Sequence, residues 1–174
     1  MSYTPNSTFV RADQTSVPDT NNTYDIGSAS FKYANVYATT FNGESTSAQY
    51  ADLAENFVGD MQYEPGTVVG IGGTKEVTAD IDLGSSKVIG VVSTNPAFLM
   101  NSDCKGEFVV AVAYKGRVPC KVSGIIERGD LLTAGGNGIA IRADSGEPGT
   151  IIGRALEDFF DMDSIGIIEI LVGI

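Results

Sequence analysis

No histidine and no tryptophan occur in the 174 residues, and cations are scarce, with 11 Lys and Arg against 22 Asp and Glu for a net charge of −11. Without histidine there is no imidazole base, so a Ser-His-Asp hydrolase is excluded and the commonest metal ligand is missing. Without tryptophan the usual sugar-stacking platform is missing. Eleven thinly spread cations do not make the clustered positive surface that phosphate recognition needs, and an anionic membrane surface is disfavoured on the same ground. Cysteine is limited to Cys104 and Cys120. Neither lies in a CxxC, so no zinc site is built from them, and they read as two free thiols rather than a disulfide. No apolar run approaches the ~20 residues of a membrane span. The start, MSYTPNSTFVRADQ, lacks a basic opening followed by an apolar run. The expectation is synthesis in the cytoplasm without a secretion signal.

What is abundant is glycine, at 21 residues, set among many Val and Ile. That mixture favours short strands and tight turns over helices. With 43% hydrophobic and 19% charged residues the composition is globular.

The most patterned stretch is 24–43, YDIGSASFKYANVYATTFNG. Turn signals bound it at Asp25-Ile26-Gly27 and Asn42-Gly43. Between them Phe31, Tyr33, Tyr37 and Phe41 fall on odd positions and would project from one face of an extended chain. Ala34, Val36 and Ala38 would point the other way. Upstream sequence is polar and downstream sequence is a short Ala-rich segment, so neither offers cover. The expectation is that copies of this stretch pack on each other. Residues 1–22 are polar, with only Phe9, Val10 and Val17 strongly apolar. They read either as a disordered tail or as an arm that orders on docking.

Segment 45–58 carries Tyr50, Leu53, Ala54 and Phe57 at i, i+3, i+4 and i+7, which predicts a short helix capped by Ser47 or Ser45. Glu64-Pro65-Gly66 predicts a turn and a domain boundary. From residue 67 onward the composition shifts to β-branched runs separated by Gly and Asp turns. Strands are expected at 68–71, 88–92, 108–113, 117–122, 131–133, 139–142, 151–156 and 165–172. Turns are expected at Gly72-Gly73, Asp82-Leu83-Gly84, Lys115-Gly116, Arg128-Gly129-Asp130, 135–138 and Glu147-Pro148-Gly149. Many short strands at close spacing indicate a β-barrel or sandwich. Gly70, Gly90 and Gly153 inside strands are expected to allow tight bends.

Two parts of the chain resemble bacteriophage tail-fibre and head-fibre-type virion appendage proteins. The first is Asp25-Ile26-Gly27-Ser28, then Ser30, Lys32, Tyr33, Asn35-Val36-Tyr37-Ala38-Thr39, Phe41 and Gly43, followed by STSAQYADLAENF. The second is the run from Tyr63-Glu64-Pro65-Gly66 through VIGVVSTNPAFLMN, KGRVPCKVSG, RGDLLTAGGNGIAIRA and GTIIGRALED to IIEILV. It is similar to a β-domain at the ends of such appendages, and more distantly to a domain that acts as an autoproteolytic chaperone in some of them. The resemblance implies a virion protein and a homotrimer. It also favours the docking-arm reading of the N-terminus.

Chemistry-bearing patterns are few. Ser123 with Lys121, or Ser86 with Lys87, are formal Ser-Lys pairs that read as ordinary surface serines. Gly70-x-Gly72-Gly73-Thr74-Lys75 has the wrong order for a phosphate loop and reads as a hairpin turn. Asp80 with Asp82, and Glu157, Asp158, Asp161 and Asp163 around Phe159-Phe160, read as solvated turns, the latter with room for a cation on an assembly axis.

The expected architecture is mainly β. An extended virion-docking arm (1–23) precedes an oligomerising stem (24–62, strand plus short helix) and a β-rich C-terminal barrel or sandwich domain (63–174). The expected oligomer-interface residues are Phe31, Tyr33, Val36, Tyr37, Phe41, Tyr50, Leu53 and Phe57. The expected docking residues are Phe9, Val10 and Val17. No catalytic residue, metal or cofactor is expected. The expected function is a non-enzymatic trimeric fibre, spike or decoration on a phage capsid or tail, located in the virion. Its partners would be copies of itself and other virion proteins, with no nucleic acid and no membrane. The alternative is host-glycan binding, with Phe98, Tyr114, Phe159 and Phe160 as platforms. A self-cleaving intramolecular chaperone is the third reading.

Overall fold

The computed structural model describes residues 19–21, 23, 25–40, 42, 47 and 50–174. The chain falls into two compact units, Met1–Glu44 and Ser45–Ile174. In the first unit the described residues form turns and irregular chain, with no strand. The DIGS signal does make its turn, as Ser28 N–H donates to the Phe31 carbonyl at 2.9 Å and Phe31 N–H donates to Ser28 Oγ at 3.1 Å. The strand expected to follow is not formed, because a strand needs a partner ladder and the single chain supplies none.

The second unit is all β, with no helix among the described residues. Its strands are β1 (Asp52–Val58), β2 (Val68–Ile71), β3 (Val77–Thr78), β4 (Val88–Val92), β5 (Phe98–Met100), β6 (Val109–Ile126), β7 (Leu131–Gly136), β8 (Ile139–Arg142), β9 (Ile151–Ala155) and β10 (Phe159–Val172). The strands expected at 68–71, 88–92 and 139–142 have those same bounds. Turns at 82–84, 128–130 and 147–149 are also formed, the last closed by Thr150 N–H to the Glu147 carbonyl at 3.2 Å. The Glu64-Pro65-Gly66 turn lies inside this unit and joins β1 to β2.

The 18-residue β6 is the spine. Its first half pairs with β1 and with β4, and β4 continues to β2 and β3. A parallel bridge between Gly59 and Val77 returns β3 to the end of β1, so these five strands form a ring. The second half of β6 pairs with β10 and, through Val122 and Ala140, with β8. From β8 the sheet runs through β7 and β9 back to β10, closing a second ring. β5 lies outside both, parallel to β1.

Each ring contributes to its own core. Val69, Val77, Val92, Val110, Val112 and Tyr63 cluster in the first, with Phe57 and Ile89 against them. The second gathers Val118, Cys120, Val122 and Ile126 of β6 with Leu132, Ile152, Ile168 and Ile170, and reaches Val68, Val91, Ala113 and Ala54 on the first ring. Burying each such Leu, Ile or Val contributes roughly 1.5–3 kcal/mol before entropy is counted.

The expected helix over 45–58 is a correction: residues 52–58 are strand β1. Ala54 faces the second core and Phe57 the first, so both faces of β1 are partly buried. A register shift between Leu53 and Ala54 adds to this. Two-sided burial with a bulge leaves no period of two, and the resulting spacing imitates a helical stripe.

The expected turn at Lys115-Gly116 is a second correction. Gly116 sits within β6 at φ 110°, and a Cβ there would lie 2.0 Å from the Ala51 carbonyl oxygen. Even-numbered β6 residues face the first core before this point and the second core after it. The glycine therefore bends a continuous strand instead of ending it. Gly90 and Gly153 have a related cause, since a Cβ on either would lie 2.2 Å from a carbonyl oxygen of the neighbouring strand.

β10 begins earlier than expected, at Phe159. Its pairing with β6 jumps from Asp161–Gly124 to Gly166–Val122, so residues 162–165 bulge out opposite Ser123.

Candidate functional site

The residues expected to mediate self-association divide between the two units. Phe31, Tyr33, Val36 and Tyr37 lie in the first and are all strongly exposed, Tyr37 at 93% and Phe31 at 82%. These four large apolar side chains, on irregular chain outside any strand, constitute the least covered apolar stretch among the described residues. Tyr50, Leu53 and Phe57 lie in the second unit. Phe57 is half-buried and meets the Tyr114 ring edge-on, with centroids 6.0 Å apart. Leu53 is half-buried in β1 opposite Lys115, and Tyr50 is exposed just before that strand. Phe41, Phe9, Val10 and Val17 lie outside the described residues.

Chemistry-bearing groups of the second unit line two cavities. The larger, about 530 Å³, is bounded by Asp60, Tyr63, Glu64, Asp80, Lys121 and Asn137 among others. Its polar groups bind one another. Tyr63 donates its hydroxyl proton to Asp60 and accepts the Ala79 N–H at 3.0 Å. Burial first, and then the Asp60 carboxylate, raise the Tyr63 phenol above its ordinary value. Lys121 Nζ pairs with Glu64 at 3.2 Å and donates to Thr67 Oγ1 at 3.2 Å. That engagement takes Lys121 away from any role beside Ser123.

The smaller cavity, about 340 Å³, holds a pair that sequence reasoning missed. Ser93 Oγ donates to Asp52 Oδ2 at 2.6 Å, and both residues are buried. They are 41 positions apart, and Asp52 was placed on the expected helix. No local pattern could have joined them. The pair fastens the start of β1 to the segment after β4, together with Ala97 N–H to the Asp52 carbonyl at 2.9 Å. With no imidazole to take the serine proton, the carboxylate acts here as an acceptor that fixes position.

The acidic run 157–163 is likewise consumed by the fold. Glu157 accepts the Glu169 N–H at 2.9 Å and Asp158 accepts the Arg128 N–H at 2.7 Å. Asp161 accepts the Ser164 hydroxyl at 2.6 Å and the Asp163 N–H at 2.9 Å, and these bonds hold its carboxyl below the ordinary carboxylate value. Among the described residues no three Asp, Glu or Cys side chains converge as a metal site would require.

The second unit is thus a closed all-β unit of two strand rings sharing one strand. No protein-family model and no curated protein matches the chain. Solved structures with this fold include the C-terminal fragment of bacteriophage phi29 gene product 12. That match has a TM-score of 0.53 and 16% identity, and covers 70% of this chain and 99% of the fragment. The pre-mature bacteriophage phi29 gene product 12 matches with a TM-score of 0.57 and 14% identity, over 75% of this chain. In that case the match spans only 23% of the phage protein. At these identities the likeness is one of fold.

Proposed function

We propose that this chain is a structural protein of a bacteriophage virion, a homotrimeric fibre, spike or decoration on the capsid or tail. The observation that carries the proposal is the fold shared with nearly the whole C-terminal fragment of phi29 gene product 12. The exposed aromatic stretch 31–37 supports self-association, since rings open to water in a lone chain are the surface that further copies would cover. In this reading the arm 1–23 docks to other virion proteins and the β unit projects. The protein is made in the host cytoplasm and acts by binding and shape, not by catalysis.

Multi-angle light scattering on the full chain tests this. The expected mass is three times 18.2 kDa, and Phe31→Asp with Tyr37→Asp should lower it. A single-chain mass at all concentrations overturns the trimer. One second reading is a chain processed by its own cleavage, since the phi29 protein is known both as a pre-mature form and as a C-terminal fragment. An intact mass of 18.2 kDa in the same sample counts against it. Host-glycan binding has less support, because Tyr114 and Phe159 are half-buried against the cores and only Phe98 and Phe160 stand open.

A further inference from the structure

The cavity of about 340 Å³ beside the Ser93–Asp52 pair carries charge that the fold leaves unanswered. The start of β1 brings Asp52 to it, the segment after β4 brings Ser93 and Asn95, and β6 and β10 bring Arg117 and Glu169. Asp52 is only 6% exposed. Its Oδ2 accepts the Ser93 hydroxyl at 2.6 Å, and its Oδ1 accepts no hydrogen bond from a described residue. Among the described residues no enclosed side-chain oxygen lacks a partner, so Oδ1 is open to the cavity that Asp52 borders. No cation stands at ion-pair distance from it, since Lys121–Glu64 is the one ion pair among the described residues. Arg117 is exposed and likewise has no carboxylate partner among them. Glu169 is half-buried and donates its backbone N–H to Glu157, while its own carboxylate bonds to no described residue.

Register explains the grouping. Glu169 stands opposite Pro119, and Arg117 lies two residues before Pro119 on the same face of β6. Asp52 stands opposite Gly116, beside Arg117, on the other neighbouring strand. These three are the only charged side chains lining the cavity. Lys121, the next cation on this face, is taken by Glu64 and Thr67. A buried carboxylate without a cation is costly, and native proteins pair such charges. A calcium-like ion finds two carboxylates here, too few to fill its shell, and a guanidinium that repels it. Phosphate suits Arg117 and is repelled by both carboxylates. A sugar leaves all three charges unanswered. An amine answers only the carboxylates, and a carboxylic acid only the guanidinium. A molecule with an ammonium and a carboxylate on one carbon answers all three. Its ammonium lies between Asp52 and Glu169, and its carboxylate lies on the planar fork of Arg117. Ala51 and Pro119 supply an apolar wall. The volume falls at the small end of the roughly 300–1,000 Å³ of small-molecule sites.

We propose that this cavity binds a small zwitterion of the α-amino acid type, held by Asp52 and Glu169 at its ammonium and by Arg117 at its carboxylate. The site goes beyond the structural role above and does not depend on the number of copies in the assembly. The test titrates the isotope-labelled full chain and follows the backbone N–H signals of Ser93, Asn95 and Arg117 by NMR. The probes are glycine, L-alanine and D-alanine, with ethylamine and propionate as the two charged halves of alanine. At least one of the three zwitterions should shift these signals saturably, and each half should bind roughly tenfold more weakly or worse, as for loss of a charge-assisted bond. Arg117→Gln should weaken the zwitterion by a similar factor and leave ethylamine unchanged. Glu169→Gln should weaken both. Neither side chain lies in a core, so the melts of both variants should match that of the unaltered chain. No saturable shift with any of the three zwitterions overturns the site. So does equal affinity for alanine and ethylamine, or an Arg117→Gln chain that binds the zwitterion as well as the unaltered one. Light scattering on the same samples reads the assembly separately, so the virion reading stands or falls on its own result.

Discussion

Cys120 and Cys104 illustrate how position decides chemistry for one residue type. Cys120 is fully enclosed in the second core, and burial pushes its thiol up to about 12. At pH 8 its reactive thiolate is then on the order of one molecule in ten thousand. Cys104 is half-exposed, in a turn closed by its own N–H to the Asn101 carbonyl at 3.0 Å. A disulfide-exchange reagent at pH 8 should titrate one thiol per native chain, Cys104, and the second only after unfolding. Two thiols reacting at comparable rates in the folded protein would contradict the enclosed position of Cys120. The enclosure was readable in advance from the alternation of Val118, Cys120 and Val122, which places all three on one side of a strand. The Ser93–Asp52 pair was not readable, because the contact is made by the closing of the first ring and not by anything near either residue.

The β6 strand carries the clearest lesson about elements. Its two halves, 108–113 and 117–122, were both legible from apolar alternation, but the Gly between them was taken to end a strand that it bends. Glycine permits either outcome locally, and the choice is made by β1 and β10 approaching the same point. Gly116→Val should therefore cost roughly 4 kcal/mol or more, combining a left-handed φ with a clash against the Ala51 carbonyl. Gly124→Ala provides the contrast. It also has a positive φ, of 90°, but nothing lies within 4 Å of its Cβ. That change should cost about 1–3 kcal/mol, from backbone strain alone. Chemical denaturation of the two variants separates strain from collision, and equal losses would refute the close approach. The β1 misreading has the same origin, since a strand buried on both faces has no period for a sequence to display. The early start of β10 was hidden by acidic residues, whose carboxylates turn out to cap backbone N–H groups.

For the molecule as a whole, alkaline pH is the sensitive direction. Burial raises Cys120 above 9.0, and burial with a neighbouring carboxylate raises Tyr63 and Tyr114 above 10.0, Glu55 being the neighbour of Tyr114. All three are protonated in both states at neutral pH, so their contribution is then fully present. As pH climbs through 9 and then 10, the unfolded chain releases these protons while the folded chain keeps them, and stability declines. The melting temperature should fall continuously between pH 9 and pH 11, with Tyr114→Phe flattening the portion above pH 10. A curve level to pH 11 would contradict the burial of these groups. Fold class was legible on this whole-chain view, from glycine and β-branched residues at close spacing. The sharing of one strand by two rings was not, because it depends on pairings far apart in sequence.

The pairing about Gly116 has one more consequence. Asp52 and Val172 are both register partners of this glycine, on its two sides. The 119 residues between them therefore leave and return to a single spot, as a purse closes on its drawstring. A tag or cargo fused after Ile174 would sit at the neck of the unit, beside the start of β1. One grafted into the exposed loop at 144–147, between β8 and β9, would be carried clear of it.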